Sequence, residues 1–146
     1  MPVKGTAALL DALMRDEGSN IVAGVHRMYK CPADKWTLGY GHNIQDNGIP
    51  DVIARALLEW DADCAQRDAM ALVPNWPTLD AVRRNVVSNM AFNMGKAKLA
   101  GFKKFLAAVN EGRYEDAANE MEDSLWYKQV GNRSKRLAAE MLTGVV

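Results

Sequence analysis

The feature of this sequence that most limits its fold is a break in helical periodicity between residues 19 and 48. On both sides of the break, apolar residues recur at the three- and four-residue spacing of helices. The stretch itself contains glycines, Pro32 and short mixed runs such as "KWTLGYGH", which are typical of small β-hairpins and loops. The chain is therefore predicted to be α+β and mainly helical.

Capping residues predict where the longer helices begin and end. Thr6 is a candidate N-cap for a first helix that ends at Gly18. Pro50 suits the first residue of a long helix. Thr78 is predicted to cap the next helix, which Gly95 ends. Shorter helices are predicted in "FKKFLAAVNEG", "YEDAANEMEDS" and "NRSKRLAAEMLTG".

The length of the chain, 146 residues, predicts a single domain over residues 1–146. Within it we expect a small β-containing lobe over about 18–49 and a linking helix over about 50–72. A helical lobe over about 73–146 is expected to include the first helix, about 6–17.

Charge and composition exclude several classes of partner. Eighteen basic and eighteen acidic side chains cancel, so the basic clusters are interpreted as solvated faces and no nucleic-acid partner is expected. Cys31 and Cys64 are expected to be reduced thiols. Stable membrane insertion is not expected, because no apolar run is long enough, and the first residues lack the features of a signal peptide. Synthesis in a cytoplasm is expected.

The strongest functional signal combines Glu17-Gly18 after the first helix, Cys31, Thr37 after five intervening residues, and the "GYGH" turn. These elements, in this order, resemble the phage-type lysozymes, the endolysins or muramidases. "LDAVRRNVVSNMAFNMG", "AGFKKFLAAVNEGRYEDAA" and "WYKQVGNRSKR" resemble the helical part of the same family. The similarity runs from about Leu9 to Gly144.

The resemblance implies a two-lobed, lysozyme-like fold in which a long helix joins the small β-hairpin lobe to the helical lobe. It also implies hydrolysis of the β-1,4 bond between N-acetylmuramic acid and N-acetylglucosamine in peptidoglycan, with inversion. Glu17 would be the general acid, while Cys31 and Thr37 would hold the attacking water. No metal or organic cofactor is implied.

Further roles follow from the resemblance alone. Phe92 and Asn93 match positions that line the glycan-binding cleft, although Asn93 replaces the usual Gln. Arg133 matches an arginine near the catalytic acid. His42 and Asp61 match a structural pair that joins the turn to the long helix.

One spacing departs from the family pattern. The family usually leaves eight residues between its acid and the Asp or Cys, whereas thirteen separate Glu17 from Cys31. Counting back from Cys31 by the usual spacing reaches Val22, and no acid lies between Gly18 and Ala33. Either "SNIVAG" contains an insertion and Glu17 keeps its role, which we favour, or the site lacks its acid.

Two other functions stay open at this point. The chain could be a peptidoglycan-binding or structural protein that has lost catalysis, or a lytic transglycosylase that uses one Glu. The expected setting is lysis of a host cell by a phage or prophage. The protein would lie in the host cytoplasm until release to the cell wall through a separate pore-forming holin, and we expect a monomer.

Overall fold

A computed structural model describes residues 4–146. Contacts divide the chain into two compact units, one up to Ala54 and the other from Arg55 onward. The helices are α1 (Ala7–Glu17), α2 (Ile44–Asn47), α3 (Asp51–Leu72), α4 (Ala81–Met94), α5 (Lys96–Ala100), α6 (Lys103–Asn110), α7 (Tyr114–Glu122), α8 (Leu125–Val130) and α9 (Asn132–Thr143). The strands are β1 (Ile21–Val22), β2 (Val25–His26), β3 (Tyr29–Lys30), β4 (Trp36–Leu38) and β5 (His42–Asn43). The predicted α+β class, mainly helical with a small antiparallel sheet region, is confirmed.

The first unit begins with α1, whose ends follow the predicted signals. The Thr6 hydroxyl accepts a hydrogen bond from the Leu9 backbone N–H at 3.2 Å, which satisfies one of the free donors at the helix start. Gly18 follows the last helical residue with a φ of 64°. The predicted extent of this helix is therefore confirmed, whereas its grouping with the helical lobe and the lobe boundaries stay predictions.

The strands of the first unit form two separate antiparallel sheets. Strands β1 and β2 make an isolated hairpin, while β3, β4 and β5 form a three-stranded meander. In the meander Thr37 lies opposite both Tyr29 and Asn43, so it occupies the middle of the sheet. The hairpins predicted for residues 19–48 are confirmed.

The second unit contains the hydrophobic core. The apolar stripe of α4 is buried at Val86, Val87 and Met90, and Met94 packs at the edge of the core. Helices α6, α7 and α9 contribute further fully buried side chains. Their largest members are Phe105, Val109, Met121, Leu137 and Met141.

The predicted cap of α4 at Thr78 is wrong. Thr78 ends a short 3₁₀ turn with Trp76 and Pro77, and its hydroxyl donates back to the Asn75 carbonyl at 2.8 Å. Asp80 is the N-cap instead, because its carboxylate accepts from the Arg83 backbone N–H at 2.9 Å. The predicted end of the helix at Gly95 is confirmed.

The remaining predicted helices are present, and α2, α5 and α8 are additional short helices that the periodicity did not reveal. Ser124 caps α8 by accepting a hydrogen bond from the Tyr127 backbone N–H. Among residues 4–146, no helix combines the length and apolar character needed to cross a bilayer.

Candidate active site

Glu17, the last residue of α1, packs against the turn between β4 and β5. Its side chain approaches Gly41 so closely that a Cβ at Gly41 would lie 2.9 Å from the carboxylate Oε2 and 3.2 Å from Cδ. A hydrogen is the only side chain that this approach allows without displacement. The second glycine of "GYGH" therefore makes room for Glu17, and that turn directly follows the strand that carries Thr37.

The extra residues between Glu17 and Cys31 form the β1–β2 hairpin. Its two-residue turn, Ala23 and Gly24, has positive φ at both positions, 51° and 76°, as two-residue hairpins favour. The Arg27 backbone N–H donates to the Asn20 carbonyl at 2.7 Å, so the chain leaves the hairpin beside the point where it entered. The additional length is thus looped out between Asn20 and Arg27.

Cys31 and Thr37 meet at the end of the β3–β4 pair. Cys31 follows β3, and its backbone N–H donates to the Lys35 carbonyl at 3.0 Å, which extends the ladder by one residue. Thr37 is only 2% exposed, and its hydroxyl donates a hydrogen bond to the same carbonyl at 3.0 Å. The structure therefore brings together two of the three predicted catalytic residues.

The pKa of the Cys31 thiol is lowered from its ordinary value. The largest cause is the Lys35 backbone N–H, which donates to the sulfur; partial burial opposes it, and the Ala33 backbone N–H and the Thr37 hydroxyl add to the lowering. The sulfur thus lies among donors that favour a thiolate.

The lysine charges near Cys31 are directed elsewhere. The Lys35 ammonium pairs with Asp46 at 3.1 Å, and the Lys30 ammonium stacks 4.7 Å above the Trp36 ring. Lys35 acts on the thiol through its backbone N–H.

His42 begins β5, directly after Gly41. Its Nε2 lies 2.6 Å from the Gly48 carbonyl, a hydrogen bond that requires the proton on Nε2 and closes the loop around α2. Asp61 is exposed on α3 in the second unit. The pairing of His42 with Asp61 stays a prediction.

Phe92 and Arg133 line one open groove of about 390 Å³ in the second unit, between α3, α4 and α9. The Arg133 Nε donates to the Asn89 side-chain oxygen at 2.8 Å, which fixes the guanidinium at the start of α9. Phe92 is 43% exposed, unlike the buried Met90 and Ala91 that precede it on α4. The structure therefore groups these two predicted substrate-binding residues, and their role stays a prediction.

Asn93 makes a structural contact. Its side-chain oxygen accepts a hydrogen bond from the indole N–H of the buried Trp126 at 2.8 Å. The oxygen joins α4 to α8, while the residue as a whole is exposed. Asn93 does not line the groove that contains Phe92 and Arg133, and its predicted glycan contact stays a prediction.

Two residues that support the candidate site were not predicted from the sequence. The support that Gly41 gives to Glu17 could have been suspected from the second glycine of "GYGH". Asn89 carried a weaker signal, as a polar residue between buried positions of α4. Within residues 4–146, no group of three His, Cys, Asp or Glu side chains is placed to hold a metal ion.

Comparison with known proteins gives a consistent family assignment. The profile of the family described as phage lysozyme matches residues 22–140, which begin after Glu17 and include Cys31 and Thr37. Probable T4-type lysozymes 1 and 2 of Dictyostelium discoideum are each 27% identical over 96% of this chain and 96% of their own length. The pre-baseplate central spike protein Gp5 of Enterobacteria phage T4 is 28% identical over 94% of this chain, which spans only 28% of that protein.

Proposed function

Because the chain belongs to the phage lysozyme family, we propose that it hydrolyses the β-1,4 bond between N-acetylmuramic acid and N-acetylglucosamine, with Glu17 as general acid. The predicted family and enzyme class, a glycoside hydrolase of the lysozyme type, are confirmed by the profile match and the T4-type relatives. The bond, the mechanism and the residue roles are the proposal.

The observation that carries the proposal is the packing of Glu17 on Gly41. It sets the only carboxylate between Asp16 and Asp34 against the turn that follows the Thr37 strand. The family match itself begins at residue 22 and leaves Glu17 untested. Because the extra residues are looped out as a hairpin, the longer spacing is compatible with a general acid at Glu17.

In the proposed reaction, protonated Glu17 donates its proton to the leaving glycosidic oxygen while the bond to C1 of the sugar breaks. A water attacks C1 from the opposite face and loses its proton to the solvent network, which inverts the anomeric configuration. Cys31 presents its partly exposed sulfur to that water, and the buried Thr37 hydroxyl, which donates to the Lys35 carbonyl, holds the backbone beside Cys31. A thiolate would also counter the positive charge that develops on the sugar ring.

Product analysis tests this chemistry. Purified protein would be incubated with peptidoglycan in ¹⁸O-labelled water, and the fragments analysed by mass spectrometry. We expect N-acetylmuramic acid at the reducing ends, carrying one ¹⁸O atom, and proton NMR at early times should show the inverted anomer. Anhydro ends without label would support the transglycosylase alternative and contradict water attack.

We further propose that the protein acts in host-cell lysis, held in the cytoplasm until a holin-type partner opens the membrane. Its family membership supports this setting. Expression in a bacterial cytoplasm should leave cells intact until a membrane-permeabilising agent is added, and then cause lysis that the same agent alone does not cause. Lysis without permeabilisation would contradict the need for a separate partner.

A further inference from the structure

The extra hairpin contacts the turn that supports Glu17. His26, at the end of β2, packs the edge of its ring against Tyr40, with ring centroids 4.9 Å apart and ring planes inclined by 74°. Such edge-to-face pairs are favourable beyond the area that they bury. Tyr40 lies between the glycines of "GYGH", directly before Gly41.

The turn around Tyr40 is closed by the pairing of Leu38 with His42, and it contains two glycines. Gly39 and Gly41 adopt φ values of 66° and 80°, and glycine backbones have the widest conformational freedom. Tyr40 is the one side chain larger than hydrogen in this three-residue segment, and it is 43% exposed. Anything that holds Tyr40 therefore limits the positions open to Gly41.

We propose that His26 is a positioning residue for Glu17, acting through Tyr40 and Gly41. The inference rests on the proposed role of Glu17 as general acid. The hairpin that lengthens the Glu17–Cys31 spacing thereby holds the turn on which the Glu17 carboxylate rests. The additional residues are then part of the active-site support.

The contact depends on the ring of His26. Its Nδ1 is buried and has no hydrogen-bond partner among the residues that the structure describes. A buried nitrogen without a partner costs free energy, so a phenyl ring in the same place would keep the edge contact and remove that cost. Phe should therefore replace His26 with its function retained, whereas Ala should not.

The test compares kcat and KM of the full chain on soluble peptidoglycan fragments for His26→Ala, His26→Phe and the unchanged protein. Val25→Ala is the matched control, because Val25 is 49% exposed on the same strand. We expect His26→Ala to lower kcat roughly three- to tenfold, the range that loss of one aromatic pair allows, with KM changed less than about twofold. His26→Phe and Val25→Ala should keep kcat near that of the unchanged protein.

The proposal is overturned if His26→Ala keeps full kcat, if Val25→Ala loses as much, or if His26→Phe is no better than His26→Ala. If His26→Ala does not fold, His26→Leu replaces it, because leucine keeps apolar bulk without an aromatic edge. A lowered kcat of His26→Leu supports the proposal, and an unchanged kcat overturns it. Glu17→Gln distinguishes failure of the proposed function from failure of the proposed role of His26. Full activity of Glu17→Gln would remove the proposed function itself, whereas an inactive Glu17→Gln beside a fully active His26→Ala removes only the role of His26.

Discussion

The Glu17 carboxylate rests on Gly41, at a distance that leaves no room for a Cβ. This approach joins the end of α1 to the turn between β4 and β5, two elements that the sequence separates by the extra hairpin and the β3–β4 pair. Together with the φ of 80° at Gly41, it explains why "GYGH" has its second glycine in this chain.

Gly41→Ala should therefore impair catalysis. The new methyl group would displace the Glu17 carboxylate, and we expect kcat to fall at least about tenfold, the result of losing roughly 1.4 kcal/mol of transition-state stabilisation. Gly39→Ala is the matched control, since Gly39 also has a positive φ but a Cβ added there would meet no atom within 4 Å. Both variants should lose roughly 1–2 kcal/mol of stability from the positive φ. Equal kcat in the two variants would contradict the steric role.

The Cys31 thiol should titrate at lower pH than an ordinary thiol. The thiolate absorbance near 240 nm can be followed against pH in a Cys64→Ala background, where Cys31 is the remaining thiol. Thr37→Val should raise the Cys31 pKa, because the polar Thr37 side chain beside the thiol lowers it in the unchanged protein. A Cys31 pKa at or above the ordinary value, or one that Thr37→Val leaves unchanged, would contradict these contacts.

The same shift predicts a pH-dependent stability difference. Because the folded-state pKa of Cys31 is lowered, its stabilising contribution is fully present above the ordinary thiol pKa and is lost as pH falls through the folded pKa. Cys31→Ala should therefore cost more unfolding free energy in alkaline buffer than near pH 6. Urea unfolding at the two pH values measures this, and Cys64→Ala, whose sulfur contacts Arg67 instead, is the control.

Arg83 should contribute strongly to the stability of the second unit. Its guanidinium donates to the carbonyls of Met141 and Leu142 at 2.7 and 2.9 Å and lies 3.7 Å above the Tyr114 ring. Lysine cannot reproduce this fork of donors, so Arg83→Lys should lower the unfolding free energy by about 1–3 kcal/mol. Arg136→Lys should change it by less than about 0.5 kcal/mol, because the Arg136 side chain is 60% exposed and lysine keeps the positive charge beside Glu140. Equal denaturation midpoints for the two variants would contradict the assignment.

Asn93→Ala should destabilise the protein, because it leaves the buried Trp126 indole N–H without its acceptor. We expect a loss of about 1–3 kcal/mol in chemical denaturation. If Asn93 also grips the glycan, KM should rise in Asn93→Asp as well, because that variant keeps the acceptor and removes the amide nitrogen. An unfolding free energy of Asn93→Ala equal to that of the unchanged protein would show that the hydrogen bond to Trp126 does not stabilise the fold.

Local signals predicted much of this fold. Thr6, Gly18 and Gly95 act within one helical turn, so the bounds they set for α1 and α4 could be inferred from neighbouring residues alone. The prediction of a cap at Thr78 was wrong because Asp80, two residues later, is an equally good capping residue. Pro77 also favours a 3₁₀ turn at Thr78.

The site was predictable only in part. Cys31 and Thr37 are close in sequence and meet across one hairpin, so their spacing carries information about their contact. Two other contacts are long-range: the packing of Glu17 on Gly41, and the hydrogen bond from the Trp126 indole N–H to Asn93. Such contacts depend on tertiary packing and leave no local pattern in the sequence.

The central claim is that Glu17 is the general acid despite the thirteen residues before Cys31. The most direct test is the rate of clearing of a bacterial cell-wall suspension by Glu17→Gln, measured beside Asp16→Asn, which makes the same carboxylate-to-amide change one residue earlier. We predict that Glu17→Gln clears at least about a hundredfold more slowly, the usual contribution of a general acid, and that Asp16→Asn clears at the unchanged rate. Equal clearing by Glu17→Gln and the unchanged protein would contradict the account.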